Sequence, residues 1–214
     1  LEVDYDDCRG RFLLWDSFDE NERPAIRIGD ATPAHLLSAA LKGRLRGEDA
    51  RRIANQVREH KHRDQLMGIV AASLFDAVGD RLRIAALAGY YLSHGQDVPL
   101  DVALLGRLEL YMSDGVIHAR VPWPPKEIED LADAWDNGAA VRIPDHYESG
   151  PVAGVVPLLR SNWRLLQSSK LAVHADLFSV ANQVTGDWLT VFSANATDRV
   201  LSILHRHSSN SRSR

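Results

Sequence analysis

Residues able to do chemistry are few, and most of them stand where the chain changes character. His60, His62 and Asp64 fall within Glu59-His-Lys-His-Arg-Asp64. A spacing of two places the two imidazoles on different faces of a helix, so a shared metal requires a turn or an extended stretch. The competing reading is a set of cationic groups at a helix C-terminus, where positive charge suits the negative end of the dipole. His94 follows Tyr90 and Tyr91 and precedes Asp97 and Asp101. That order could build a polar pocket in which a carboxylate orients the imidazole; the plainer reading is a helix-ending histidine beside a capping carboxylate. Cys8, the only cysteine, stands beside Asp4, Asp6 and Asp7, whose charge disfavours the thiolate that a nucleophile needs.

No motif converts these residues into a site. The chain contains no His-Glu-x-x-His, no cysteine pair, no Asp-rich calcium loop and no Gly-x-Ser-x-Gly elbow. Both glycine-rich phosphate cradles are missing as well. A serine triad is not excluded, because its members meet only in the fold. The expectation is that no catalytic, cofactor-binding or metal-ligating residue can be assigned and that no cofactor is implied. A small metal-dependent or other hydrolase using His60, His62, Asp64 or His94 is the alternative, and a substrate fragment released by cleavage before Leu1 is another.

Charge points toward protein partners. A formal net charge of -4 and a pI near 6.1 argue against nucleic acid as the main partner, since phosphate binding relies on clustered Lys and Arg. Residues 1–30 hold nine carboxylates against four Arg, residues 125–148 hold seven against two bases, and residues 42–63 hold eight Lys or Arg. Such segments are solvated faces, internal ion pairs, or a docking patch for an acidic partner. If they dock, Arg44, Arg51 and Arg58 are the contacts to expect. Trp123, held between Pro122 and Pro124-Pro125, is the expected aromatic anchor. No uncharged run reaches the 18 to 20 apolar residues a bilayer requires. Neither a membrane span nor a secretory signal is expected, and the lone cysteine suits a reducing cytoplasm.

The elements that must position these residues read as mainly α, arranged as antiparallel hairpins of repeat or bundle type. Residues 1–30, with aromatic and β-branched runs at 11–18 and 24–28, suggest a small β-hairpin. Thr32 and Pro33 suit a helix start, and a helical core follows over 31–112. Helices are expected near 33–46, from 48 to about 60, over 66–78, over 81–93 and over 99–111, joined by short turns. Residues 113–150 read as a connector with a turn at 113–115, a strand over 116–121, a short helix over 127–135 stopped by Asn137-Gly138, and a surface loop over 142–151. Apolar helical patterns resume over 155–167, 174–184, 188–193 and 197–207, and 208–214 reads as a mobile tail.

Two resemblances add to this reading. Ala72, Phe75, Gly79, Asp80, Leu82, Ala85 and Tyr90 resemble one tetratricopeptide unit, with Gly68 at that family's large aromatic position. His94-Gly-Gln-Asp-Val-Pro-Leu-Asp101-Val-Ala-Leu-Leu105 and Gly154-Val-Val-Pro-Leu-Leu-Arg-Ser-Asn-Trp163 resemble helical regions that accompany bacterial caspase-like proteases. The latter resemblance implies a noncatalytic, partner-binding or regulatory part of a bacterial cytoplasmic assembly of stress or immune type. It carries over no catalytic residue, because the catalytic half is absent.

Overall fold

The computed structural model describes residues 36, 38, 39, 44–61, 65–186 and 188–211. The expected hairpin over 1–30, the helix start at Thr32-Pro33, Cys8, Trp15, His62 and Asp64 lie outside them. Among the described residues the chain is mainly helical, with eight α-helices and one four-stranded mixed sheet.

Helix α1, Gly47–Arg58, carries Glu48 and Asp49 in its first turn and Arg58 in its last, which matches the helix dipole at both ends. Its buried residues Ala50, Ile53, Ala54 and Val57 form one stripe. Helix α2, Gln65–Ala77, is apolar around most of its circumference and buries Gly68 to Ala72, Leu74 and Phe75. A turn through Gly79, at φ +75°, leads into α3, Arg81–Ser93. Asp80 caps α3 by accepting from the Arg83 N–H at 3.2 Å. Helix α1 packs on α2, and α3 packs on α2 and on α5, Pro125–Asp136.

Two glycines set how close these helices come. A Cβ at Gly68 would stand 1.9 Å from the Tyr91 hydroxyl, so the Tyr91 ring occupies the room that a side chain at 68 would need. A Cβ at Gly89 would stand 2.8 Å from Pro125, which brings the start of α5 directly onto α3.

The remaining elements are β1 (Val98–Pro99), α4 (Leu100–Leu105), β2 (Glu109–Ser113), β3 (Val116–Pro122), β4 (Tyr147–Ala153), α6 (Trp163–Leu166), α7 (Ala172–Phe178) and α8 (Ala194–Ser211). The sheet order is β1-β4-β3-β2, with β1 parallel to β4 and the other pairs antiparallel. Asp114 and Gly115, both at positive φ, close the β2–β3 hairpin. Ile117, Ala119 and Val121 of β3 point inward onto the helices, so His118 and Arg120 point out. One apolar core continues from Leu36 through α1–α4 and the sheet to Ile203 of α8.

Several expected elements take other forms. The helix expected over 99–111 ends at Leu105, and Glu109–Ser113 is a strand. Its stop is a Schellman turn in which the Leu108 N–H donates to Ala103 O and the Arg107 N–H to Leu104 O. The second half of the loop expected over 142–151 is strand β4, despite Gly150 and Pro151, while 142–146 form no helix or strand. Gly150 suits the site because the Leu92 side chain fills the space beside it, where a Cβ would stand 2.2 Å from Leu92 Cδ2. Pro151 is tolerated because β1 pairs only with Val152 and Ala153, leaving that side of β4 without a partner at 151. The helix expected over 155–167 shrinks to a 3₁₀ turn at Arg160–Asn162 followed by α6. That over 174–184 becomes α7 and a 3₁₀ turn at Ala181–Gln183. Residues 188–193 form no helix but join bridges between Leu159 and Leu189 and between Val184 and Phe192. Helix α8 runs four residues into the expected tail, to Ser211.

The C-terminal elements are tied to α4 by one carboxylate. Asp101, buried at 2% exposure, accepts from the Leu158 N–H at 2.7 Å, the Leu159 N–H at 3.0 Å and Asn162 Nδ2 at 2.8 Å. Burial pushes its pKa up, against the pull of these three donors. His174 on α7 is also fully buried, with Nδ1 2.8 Å from Ser169 Oγ, and burial lowers its pKa to about 4.

Two outcomes follow from this packing. Gly68→Ala should destabilise the fold by about 1–3 kcal/mol through overpacking, and adding Tyr91→Phe, which removes the nearest clashing atom, should recover part of the loss. A denaturation midpoint unchanged in Gly68→Ala would contradict the close approach. His174 should be neutral when folded and free to charge when unfolded. Its contribution is therefore complete above the ordinary pKa near 6.5 and is lost as pH falls toward about 4. The loss amounts to about 3 kcal/mol. Urea unfolding of the native chain and His174→Leu at several pH values tests this: the native chain should lose stability more steeply between pH 6.5 and 4.

Candidate functional site

The basic and acidic segments meet inside the molecule. Arg83 of α3, buried at 6% exposure, is held by Asp80, by Asp133 and by Asp136 at 2.7 Å. Burial works against its charge, but the hydrogen bonds that Arg83 donates to Asp80 and Asp136 prevail and raise its pKa above the ordinary arginine value. Arg51 of α1 joins this cluster 3.2 Å from Asp136 and 3.6 Å from Asp80. One helical turn pair further on, Arg58 pairs with Glu129, which also accepts from the Tyr90 hydroxyl at 2.7 Å. Burial raises the Tyr90 pKa to about 12, and the Glu129 hydrogen bond adds to this. Lys61 sits 5.2 Å over the Tyr90 ring, its pKa lowered by burial. Two of the three arginines expected on a docking patch, Arg51 and Arg58, are thus committed to intramolecular ion pairs, while Arg44 is exposed.

The histidine candidates separate. His60 is exposed beyond the end of α1. His94 is exposed at the end of α3, with Nδ1 2.8 Å from Tyr90 O and 3.2 Å from Ser93 Oγ. Asp101 faces residues 158–162 instead, so the polar pocket imagined around His94 does not include it. Among the described residues no three His, Cys, Asp or Glu side chains are grouped as a metal site.

Trp123 is half-buried, its peptide bond to Pro124 is cis, and it lines an open cleft of about 510 Å³ with Leu92, Gly95, Asp97, Glu148 and Ser149. The cleft brings Trp123 against the break after α3. Trp135, by contrast, is 60% exposed on α5 and Trp163 is buried in the core.

The most densely functionalised surface is the outward face of the sheet. Cross-strand register places Tyr111 opposite His118, and Arg120 between Glu109 and Ser149. The Tyr111 and His118 rings stack at 5.7 Å between centroids. Ser149 Oγ hydrogen-bonds the Tyr111 hydroxyl and lies 3.2 Å from His118 Nδ1. Arg120 stands 4.5 Å over the Tyr147 ring and 3.6 Å from Glu109. No helix among the described residues covers this face, and Tyr111, Val116 and Tyr147 are each more than a third exposed.

Chemically the face offers stacked aromatic surface, a guanidinium held by a ring, and several hydroxyl and imidazole groups. Ser149 and His118 are within nucleophile–base distance. No carboxylate among the described residues pairs with His118, so the orienting group of a triad is not part of the arrangement. His118 and Arg120 alternate with Ile117, Ala119 and Val121 in the sequence, which marks them as an outer strand face. Tyr111 and Ser149 carried no such signal, because their elements read as a helix and a loop. Compared with protein-family models, curated proteins and solved structures, the chain matches none.

Charge placement separates two arginines that look alike in sequence. Arg58→Ala should cost about 3 kcal/mol, because it takes the paired charge from the Glu129 carboxylate at a nearly buried site and leaves it the Tyr90 hydroxyl. Arg44→Glu should leave the unfolding midpoint in place. Equal midpoints for the two variants would show that the Arg58–Glu129 pair does not hold α1 to α5.

Proposed function

We propose that this chain is a noncatalytic protein-interaction or regulatory module of a bacterial cytoplasmic assembly of immune type, linked to a caspase-like protease. The observation that carries the docking part is the open sheet face, where Tyr111, His118, Arg120, Tyr147 and Ser149 converge without a covering element among the described residues. Tyr and Arg anchor protein interfaces because they bring large contact area and directed hydrogen bonds at low entropic cost. The Trp123 cleft, which shares Glu148 and Ser149 with the sheet strands, extends the surface available to a partner. The α2–α3 pair supplies the repeat-type part of the scaffold.

The protease link rests on the two strings that resemble caspase-associated helical regions. Both are in mutual contact: Asp101 of the first binds the backbone of Leu158 and Leu159 and the side chain of Asn162 in the second. That contact supports reading them as parts of one unit. Mechanistically the module presents a preformed surface, so binding does not require this face to order itself.

A photo-crosslinking residue at position 116, on this face, should yield a discrete protein adduct in the native cells. The adduct should be lost when Tyr111→Ala and His118→Ala are added, and should be missing when the crosslinker is placed at position 52 on α1. A hydrolase reading would gain if an activated phosphonate labelled Ser149 in the folded chain. No adduct from position 116, or the same adducts from 116 and 52, would remove the sheet face from the proposal.

A further inference from the structure

Beside the sheet face, a groove of about 480 Å³ runs between the first turns of α3, the Schellman turn after α4 and the β2–β3–β4 corner. Its apolar lining comes from Leu82, Ala85, Leu108, Pro122, Ile143 and Tyr147. Three arginines, Arg81, Arg107 and Arg120, stand on it against a single carboxylate, Glu109. Glu109 is 3.6 Å from Arg120, which is also fixed over the Tyr147 ring. Arg81 and Arg107 are exposed and enter no salt bridge among the described residues. The charges of the groove are therefore unbalanced, in contrast to Arg51, Arg58 and Arg83, which are matched by carboxylates.

Arg107 adds a second observation. It occupies the C′ position of the Schellman turn at φ +54°. Glycine is the residue that adopts this left-handed conformation without steric cost. The chain instead places its glycine one position earlier, at 106, where a Cβ would meet Ile84 at 3.2 Å. An arginine is thus kept at the strained position, with its side chain on the groove.

We infer that this groove binds an acidic, extended peptide of a partner protein, with an apolar side chain seated among Leu82, Leu108 and Ile143 and carboxylates meeting Arg81 and Arg107. This rests on the docking reading above and specifies the chemistry of the partner. Charge complementarity selects the occupant. A neutral apolar segment would leave two unpaired guanidinium groups against it, and a basic one would be repelled.

The test measures fluorescence anisotropy of a labelled octapeptide of alternating Leu and Glu added to the intact chain, with the Leu–Lys peptide as its charge-reversed control. The acidic peptide should bind, weaken steeply with added salt, and bind about tenfold more weakly to Arg107→Gly. Arg107→Gly should not lower Tm, because glycine relieves the left-handed residue, so lost binding cannot be ascribed to lost fold. Arg52→Glu, outside the groove, should bind as the native chain does. The inference is overturned if the Lys peptide binds equally well or if Arg107→Gly retains full affinity. It is equally overturned if the intact chain binds neither peptide, whether the groove is filled by this chain's own acidic residues 1–30 or is unused. Persistence of the crosslink from position 116 in that case would leave the docking reading standing without the acidic peptide.

Discussion

Arg83 is the interaction on which the helical half depends. A guanidinium at this depth is costly to bury, and its environment answers with three carboxylates from two separate elements, Asp80 at the α3 cap and Asp133 and Asp136 on α5. The same Asp80 side chain caps α3 through the Arg83 N–H. Because Arg51 of α1 shares Asp80 and Asp136, α1, α3 and α5 are locked by one network, and none of them can shift without leaving a charge unpaired. Chains of such groups in a low-dielectric setting give orientation more than net stability. Here the orientation matters, since α5 follows β3 directly through Trp123 and Pro124. Fixing α5 fixes the end of the central sheet strand.

Asp101 performs the corresponding task for the C-terminal half. Its three donors come from the segment that enters the 3₁₀ turn and α6, where backbone N–H groups would otherwise be buried without acceptors. The two anchors differ in kind. Arg83 joins helices by matching charge across their sides, whereas Asp101 satisfies donors, two of them buried, at the start of a turn. Between them they hold the sheet face-on against the helices, with Ile117, Ala119 and Val121 packed inward and the outer face left to solvent.

The positions of α1, α2 and α3 were legible from sequence, because each buries apolar residues at helical spacing, with Gly47 opening α1 and Gly79-Asp80 separating α2 from α3. The β2–β3 hairpin was half legible: Asp114-Gly115 and the alternation in Val116–Pro122 pointed to it, but Leu108 to Met112 continued an apolar run that also fits a helix. Only the Schellman stop, with an arginine where glycine is expected, divides the two. Strand β4 was hidden for a different reason. Its glycine and proline each suit a neighbour distant in sequence, Leu92 for Gly150 and the short β1 for Pro151. The outer sheet face therefore could not be assembled from sequence, since two of its three strands were misread. The ion pairs were readable only as opposite charge in residues 42–63 and 125–148; their geometry depends on the α3–α5 approach at Gly89.

The fate of those charges explains which guanidinium groups are left unmatched. Arg51 and Arg58 lie on the side of α1 that turns toward α3 and α5, so their carboxylate partners screen them from anything outside. A partner attracted to that helix would have to compete with Asp136 and Glu129, already in place at no translational cost. At the sheet corner Arg81 and Arg107 meet no such competition among the described residues, and Arg120 meets only the exposed Glu109 at 3.6 Å. Arg120 is restrained by an aromatic ring, which orients a guanidinium without neutralising it, and Arg107 is held outward by a backbone conformation rather than by a counterion. Matching charge where the chain folds thus leaves the unpaired guanidinium groups at the strand corner rather than on the helix that is richest in arginine, which is why the proposed docking surface lies there.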